Sequence, residues 1–343
     1  MLSYLKIQGS PLDVGMQLGR FGAQAMHAFI EKSESWHHVM QWRGSASAQT
    51  MKRLTQENHP QIWQELQGLS QGLKLPLDDV FLWNCRGDLS PMSPDGCTTV
   101  QLPGTGYPTF AHNEDGDPLF AGHCAIAEVS VAGGMGFASF VYPGSLPGHT
   151  FAVTNAGLAL TVNNLRAAHS QAGLPRMVLA RAVLDMPDVP SALNYLQGAS
   201  RSGGFHFTLA QAGSKVLTSV EFNHAVFSAI EIKKASLHAN HMIHAGMVNQ
   251  PQTITGSSGH RQLRGDSLIA QSAAVGATPD ALTLLFDQSD IQFPIYRDDP
   301  HDSDNENTMA SALLQVGSNV VEWQVHTAKS AEPVFKLMNG AQK

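Results

Sequence analysis

Hydrophobic residues follow two different patterns along this chain, and the pattern changes near residue 97. Before that point apolar positions recur every three to four residues, as in Ile62, Leu66 and Leu69, which predicts amphipathic helices. The first 96 residues are therefore predicted to be mainly helical. The expected elements are a strand over 1–10, a helix from 11 to about 42, a loop over 44–50, a helix over 51–74, a short helix capped by Asp78-Asp79, and an exposed connector over 90–95.

From Cys97 onward, short apolar runs are separated by Gly, Pro and Asn, which predicts antiparallel strands joined by turns. The predicted order of elements indicates an α+β fold with two sheets between helix layers. That order is strands, a pair of helices, more strands, two helices and final strands. The predicted strands are 97–102, 107–112, 118–132, 136–142, 149–154 and 157–163, three or four over 205–243, and two or three at the end. The predicted helices are 174–186, 189–199, 260–274 and 278–287, followed by a Pro- and Asp-rich loop over 294–306.

Composition narrows the class of protein without naming an activity. The chain has 343 residues, 43% hydrophobic, with a net charge of −7 and a pI near 6.1, which argues against a nucleic-acid partner. Three cysteines are few and odd in number, so no disulfide framework is expected. No signal-like start and no apolar run of about 18 residues is found, so we expect a cytoplasmic protein without a membrane partner.

The segment Asp95-Gly96-Cys97-Thr98-Thr99 carries the main chemical hypothesis. If the protein cuts its own Gly96–Cys97 bond, Cys97 becomes a chain start with a thiol and a free α-amino group. An α-amine with a pKa of about 7.7–8.0 is a suitable base for that thiol. The alternative is a buried cysteine at the start of a strand.

Three segments together resemble one protein family. They are Asp95-Gly96-Cys97-Thr98-Thr99, the start Gly9-Ser10-Pro11 with Gly15 and Gly19, and the later His238-Ala239-Asn240-His241. The family is the acyl-coenzyme A:6-aminopenicillanic acid acyltransferase family, peptidase family C45, among the N-terminal-nucleophile (Ntn) hydrolases. The resemblance covers nearly the whole chain. It implies a four-layer αββα sandwich of two mainly antiparallel sheets, one domain made of an α chain (1–96) and a β chain (97–343), and self-cleavage before Cys97.

The same resemblance implies the site residues. Cys97 is the nucleophile, Asp115 lies near its amino group, Asn240 stabilises the oxyanion, and Asn163 or Asn164 adds a second donor. Each has a simpler alternative: a turn for Asp115 and for Asn240, and backbone capping for the other two asparagines.

One departure from the family concerns the substrate. An arginine of the acyltransferase falls near Asn305, where this chain has no arginine, unless Arg297 replaces it from another loop. That places the penicillin substrate in doubt. The tentative substrate-binding residues are Asn113, Glu114, Arg86 and Arg297.

Other motifs favour structural roles. Gly68-Leu69-Ser70-Gln71-Gly72 matches a G-x-S-x-G elbow, but a helical stripe precedes it instead of a strand, so we interpret it as a helix terminus. His238 and His241 would point to opposite faces if 235–243 is a strand, so no shared metal is expected. The acidic turn 112–117 lacks the last glutamate of a calcium loop. Cys85 is predicted to pack in the core.

The resemblance implies a self-processing amidase that forms a thioester at Cys97, and by analogy with amide hydrolases among the relatives of this family we expect it to cleave a linear amide of the N-acyl or β-alanyl amine type. The first alternative is an N-acyltransferase that uses an acyl-coenzyme A thioester as co-substrate. The second is a catalytically silent ligand-binding protein. We expect no cofactor, a small-molecule amide as partner, and α and β fragments that stay associated; a homo-oligomer remains open.

Overall fold

The computed structural model describes residues 2–89, 96–299, 301 and 305–343. Within this part of the chain, helices cover about the first quarter and strands dominate the remainder, as the change in periodicity predicts. The helices are α1 (Pro11–Ile30), α2 (Glu34–Met40), α3 (Ala46–Asn58), α4 (Pro60–Leu73), α5 (Leu77–Trp83), α6 (Arg86–Leu89), α7 (Arg176–Val183), α8 (Val189–Gly198), α9 (Gly256–Ala274) and α10 (Ala281–Leu285).

The strands form two sheets. Their bounds are β1 (Ser3–Gly9), β2 (Cys97–Leu102), β3 (Thr109–Gly116), β4 (Ala125–Val131), β5 (Phe137–Val141), β6 (Phe151–Thr154), β7 (Leu158–Leu165), β8 (Gly204–Gln211), β9 (Thr218–Phe222), β10 (Phe227–Glu231), β11 (Ser236–His238), β12 (Asn307–Val316), β13 (Val321–His326), β14 (Phe335–Met338) and β15 (Ala341–Gln342). Sheet 1 has the order β1-β4-β5-β6-β7-β8-β9-β10, and sheet 2 has the order β11-β2-β3-β12-β13-β14-β15.

The two sheets pack face to face, with helices on both outer sides. β2 contacts β7 across the gap, α1 and α8 lie on sheet 1, and α9 and α10 lie on sheet 2. Among the strands that the structure describes, every pair is antiparallel except β1 with β4. This is the four-layer αββα sandwich, so the predicted fold class is confirmed.

Two helices of the first 96 residues cross closely because glycines meet there. A Cβ on Gly15 would lie 1.9 Å from the carbonyl oxygen of Glu65, and one on Gly68 would lie 2.0 Å from that of Leu12. Gly68 and Gly72 lie inside α4 against α1, and Ser70 between them donates to the Leu75 carbonyl. The G-x-S-x-G match therefore forms the C-terminal turns of α4, which ends at Leu73, as expected of a helix terminus, and its glycines also let α4 cross α1 closely.

Several predicted boundaries are wrong, each for a local reason. The helix predicted to reach residue 42 ends at Ile30, and Ser33 caps a separate α2. The predicted loop 44–50 is mostly helix, because Ser45 caps α3. The helix predicted over 51–74 breaks before Pro60, whose ring disfavours a continuous helix.

Other expectations need smaller changes. Pro76, and not Asp78-Asp79, is the N-cap residue of α5. Four strands follow the predicted loop over 294–306, where two or three were expected. The connector over 90–95 and positions 300 and 302–304 of that loop lie outside the described residues. Among the described helices, none has the length and apolar character needed to cross a membrane.

Candidate active site

Cys97 is the first residue of β2 and lies opposite Glu114 of β3. Its side chain is buried, and its thiol is not in a disulfide. The Cys97 amide donates to Asn240 Oδ1 over 3.0 Å, and its carbonyl accepts from Arg261 Nη1 over 2.5 Å. The backbone of the predicted nucleophile is therefore held on both sides.

The bond before Cys97 lies in a confined space. The Gly96 carbonyl accepts from the Asp115 amide over 3.0 Å. A Cβ at Gly96 would lie 2.2 Å from Glu306 Oε2 and 3.1 Å from Arg297 Nη1, so the pair formed by these two side chains leaves room for glycine alone. This is the structural reason for the Gly-Cys sequence.

Arg297 and Glu306 form a buried ion pair, with 2.5 Å between Nη1 and Oε2. Arg166 lies 3.8 Å from the second carboxylate oxygen. Burial raises the pKa of Glu306 to about 7, against the opposing effect of the two guanidinium groups. Arg297 thus lies beside the Gly96–Cys97 bond, although it is distant in sequence from Cys97. Arg297 was predicted from the sequence, whereas Glu306 was not.

Asp115 is buried at the end of β3. Its Oδ1 accepts from Thr308 Oγ1 over 2.7 Å, while its own amide contacts Gly96 as described above. Because successive residues of a strand face opposite sides, Glu114 shares the side-chain face of Cys97, and Asp115 does not. Asp115 therefore contacts Gly96 through its backbone amide.

Asn240 lies just beyond β11 and is fully buried. Its Oδ1 accepts from Cys97 and also from Arg261 Nη2 over 2.6 Å. Its Nδ2 donates to the Asn164 carbonyl over 3.1 Å, which uses one of the two amide hydrogens. The amide therefore lies beside Cys97, and within the described residues its second hydrogen has no acceptor.

The two neighbouring asparagines of β7 face opposite sides of the strand. Asn163 points into the gap between the sheets, where its Nδ2 donates to the His238 carbonyl over 3.1 Å. Asn164 Oδ1 accepts from Arg176 of α7, and its buried Nδ2 has no hydrogen-bond partner in the part of the chain that the structure describes. Of the two, Asn164 thus has the uncommitted amide.

Two tentative substrate residues differ in their surroundings. Asn113 is fully buried and donates to the carbonyls of Leu285 and Ile295, which fixes β3 to α10 and to the following loop. That position favours a structural role. Arg86 instead lines a cavity together with Asp117 and Tyr142, beyond the end of β3, and stays a candidate for contact with substrate.

The histidines expected on one strand lie on a short strand and the loop after it. β11 ends at His238, so the predicted strand 235–243 is too long. His238 Nε2 lies 2.8 Å from Glu221 Oε1, and the His244 amide donates to the same carboxylate. His241 lies elsewhere, with Nδ1 2.8 Å from Ser258 Oγ.

Sequence reasoning did not associate His112 with the site. Cys97, His112 and Glu114 each have one possible ligand atom within 4.8 Å of those of the other two. Zinc can bind this combination of thiolate, imidazole and carboxylate. Arg261 of α9 was missed as well. His112 could be found only from the register of β2 with β3, and Arg261 only from the position of α9. Local sequence spacing reveals neither feature.

Comparisons with known proteins were made on the sequence and on the fold. A family model described as acyl-coenzyme A:6-aminopenicillanic acid acyl-transferase matches residues 103–330, a range that begins six residues after Cys97. No curated protein matches the chain. Among 39 matching solved chains is a variant of conjugated bile acid hydrolase from Clostridium perfringens. It is 11% identical, with a TM-score of 0.42, over 71% of this chain and 92% of that one, and we draw nothing further from it.

Proposed function

This chain belongs to the acyl-coenzyme A:6-aminopenicillanic acid acyl-transferase family, and from that premise we propose a self-processing cysteine amidase. The coarse class, a hydrolase or acyltransferase of the Ntn type, follows from the family. The finer proposal is hydrolysis of a linear amide of the N-acyl or β-alanyl amine type through a thioester at Cys97. The observation that carries self-processing is the enclosure of the Gly96–Cys97 bond, and the amide type rests on analogy with relatives of the family.

Both sides of that bond have partners suited to scission. The Asp115 amide donates to the Gly96 carbonyl oxygen, where negative charge would develop when the thiol attacks. Asn240 Oδ1 accepts from the Cys97 nitrogen, which would leave as an amine. In processing, the sulfur takes the Gly96 acyl group, the C–N bond breaks, and water then hydrolyses the thioester.

The cut chain would use the same groups on a substrate. The new α-amine of Cys97 accepts the thiol proton, and Asn240 Oδ1 keeps that amine directed toward the sulfur. The second amide hydrogen of Asn240 is the proposed oxyanion donor, and Asn164, whose side chain lies on the other face of β7, contributes through its carbonyl, which holds the Asn240 amide. The leaving amine then takes the proton, and water releases the acid.

The two fragments would remain associated after scission. β1 of the N-terminal fragment pairs in parallel with β4 of the C-terminal fragment from Ser3 to Gly9, inside a continuous sheet. Buried side chains of α1 and α4 belong to the same core as those of sheet 1. We also propose a cytoplasmic location, a reducing compartment in which the Cys97 thiol would stay free.

The experiment is incubation of the purified protein with a panel of N-acyl and β-alanyl amines. Mass spectrometry then locates an acyl adduct on the fragment that begins with Cys97. We expect a transient adduct, free amine and free acid, all absent in Cys97→Ala. Release of coenzyme A thiol from an acyl-coenzyme A in the presence of an amine, without hydrolysis of any amide, would support the transferase instead. No adduct with any substrate would contradict the proposal.

A further inference from the structure

A row of buried polar side chains begins at Cys97 and runs between the two sheets. Cys97 Sγ lies 3.7 Å from Glu114 Oε2, and the same oxygen lies 3.1 Å from His112 Nε2. His112 Nδ1 lies 2.8 Å from Thr99 Oγ1. The cross-strand register produces this row, because β2 and β3 align Cys97 with Glu114 and Thr99 with His112.

The hydrogen bonds beyond Thr99 fix the position of its hydroxyl hydrogen. The Nδ2 of Asn163 donates to the His238 carbonyl, so its Oδ1 faces Thr99. An amide oxygen only accepts, and it lies 2.7 Å from Thr99 Oγ1, so the Thr99 hydroxyl must donate to it. His206 Nδ1, at 2.9 Å, supplies the second hydrogen that this oxygen accepts.

The tautomer of His112 follows from this assignment. The single hydrogen of Thr99 is used on Asn163, so His112 Nδ1 must carry a hydrogen and donate it to Thr99 Oγ1. Burial lowers the pKa of His112 to about 3, so the ring is neutral, and its Nε2 carries a lone pair. Two lone pairs cannot face each other at 3.1 Å, so one proton lies between His112 and Glu114.

This pair matters because the uncut chain lacks the α-amine that would serve as the base after cleavage. We propose that Glu114 is the catalytic acid–base residue for self-cleavage, and that His112 positions it and shares its proton. The proposal rests on the proposed function. Glu114 is the carboxylate that contacts the Cys97 thiol, and both side chains are nearly fully buried.

The proton transfer balances within the chain. Glu114 Oε2 accepts the thiol proton as Sγ bonds to the Gly96 carbonyl carbon, and the proton that Glu114 shared moves onto His112 Nε2. When the Gly96–Cys97 bond breaks, Glu114 delivers a proton to the leaving Cys97 nitrogen, and His112 returns its proton to Glu114. The sulfur has then lost one proton, the nitrogen has gained one, and the pair is restored.

The test measures the rate of cleavage of the full chain made by cell-free translation. A zinc-selective chelator is present throughout. Glu114→Gln is the informative variant, because its amide can donate to His112 Nε2 and preserve the contact while being unable to accept the thiol proton. We expect it to slow cleavage by about 10²–10⁴-fold, the usual contribution of such a residue. Thr208→Val is the matched control, since it removes a 2.7 Å bond from Gln101 between the same sheets, and it should cleave like the parent.

A second readout tests the positioning role of His112. In uncut Cys97→Ala, ¹⁵N spectra of labelled histidine should show His112 protonated on Nδ1 alone, whereas a purely structural histidine could hold either tautomer. Protonation on Nε2 alone would overturn the assignment.

The outcomes separate the two proposals. If the parent cleaves and Glu114→Gln cleaves at a rate within threefold of it, this inference is overturned and the proposed function is not. Loss of cleavage in the chelator, restored by zinc, would replace the proton-sharing pair with a metal site. A parent that stays uncut overturns the proposed function.

Discussion

Replacement of Gly96 by alanine tests why glycine precedes Cys97, the proposed nucleophile. The added Cβ would lie 2.2 Å from Glu306 Oε2, whereas real Cβ atoms keep at least 3.0 Å from such neighbours, so one group must move by about 1 Å. Glu306 cannot retreat freely, because Arg297 contacts it at 2.5 Å and Arg166 lies at 3.8 Å. Gly96→Ala should therefore either break the ion pair or displace the Gly96 carbonyl from the Asp115 amide.

The magnitudes follow from those two contacts. A hydrogen bond to a charged group contributes about 1.5–3 kcal/mol, and the lower entropy of an unfolded chain with alanine offsets about 0.4–1 kcal/mol. We expect a net loss of about 1–2 kcal/mol in the free energy of unfolding. Loss of a donor at the developing oxyanion costs about 10²–10³ in rate, so cleavage of Gly96→Ala should slow by about 10²-fold.

The assay is the rate at which the full-length band disappears after cell-free translation. A second change, Glu306→Asp, shortens the side chain by one carbon–carbon bond of about 1.5 Å and should relieve the contact. The double variant is expected to recover at least tenfold over Gly96→Ala. Parent-like cleavage of Gly96→Ala, or no recovery in the double variant, would refute this account of the Gly-Cys sequence.

Three further predictions concern neighbouring groups. Asn240→Ala removes the acceptor for the Cys97 amide and should reduce amide turnover by about 10²–10³-fold, measured in protein that has been cut; unchanged turnover would exclude Asn240 from the site. Thr308→Val removes the 2.7 Å bond to Asp115 and should slow cleavage, while Thr308→Ser should not; equal rates would show that the bond has no role. Burial raises the pKa of Glu306 from 4.5 to about 7, so the folded chain holds this proton more tightly than the unfolded chain. Its contribution to stability is therefore full below pH 4.5 and lost as the pH rises to about 7. The melting temperature of uncut Cys97→Ala should fall less over that range when Glu306→Gln is added. An unchanged dependence of the melting temperature on pH would contradict the assignment.

Much of the fold is predictable from sequence because the two halves have different hydrophobic periods. The change near Cys97 marks where helices give way to sheets, and that boundary is observed. The misplaced helix ends have local causes: Ser33 and Ser45 act as caps, and Pro60 interrupts a pattern that remains periodic on both sides. Apolar spacing continues across such breaks, so periodicity alone joins the helices.

The site is less predictable because its members come from different layers. Cys97 and Asp115 are close in sequence, and Asn240 carries a motif, so all three can be named in advance. Glu306 reaches the same bond because it lies just before β12, which pairs with β3 beside β2, and Arg261 reaches it because α9 packs against β11 on the other side of β2. Such contacts depend on tertiary packing, which single-sequence spacing does not encode.

The choice between Asn163 and Asn164 shows the same limit within one strand. The two residues are adjacent, and a shift of one position reverses the face on which each side chain lies. Matching by motif does not decide which of the two residues corresponds to the asparagine of the family. The structure resolves the faces, with Asn163 toward Thr99 and Asn164 toward Arg176.

The central claim is that the protein cuts itself before Cys97, and intact mass with N-terminal sequencing tests it most directly. Since 96 of the 343 residues of a 36.8 kDa chain precede Cys97, the parent should give fragments of about 10 and 26 kDa. The larger fragment should begin Cys-Thr-Thr-Val, and Cys97→Ala should remain one chain. A parent that remains one chain, or a Cys97→Ala variant that is cut at the same bond, would contradict the claim.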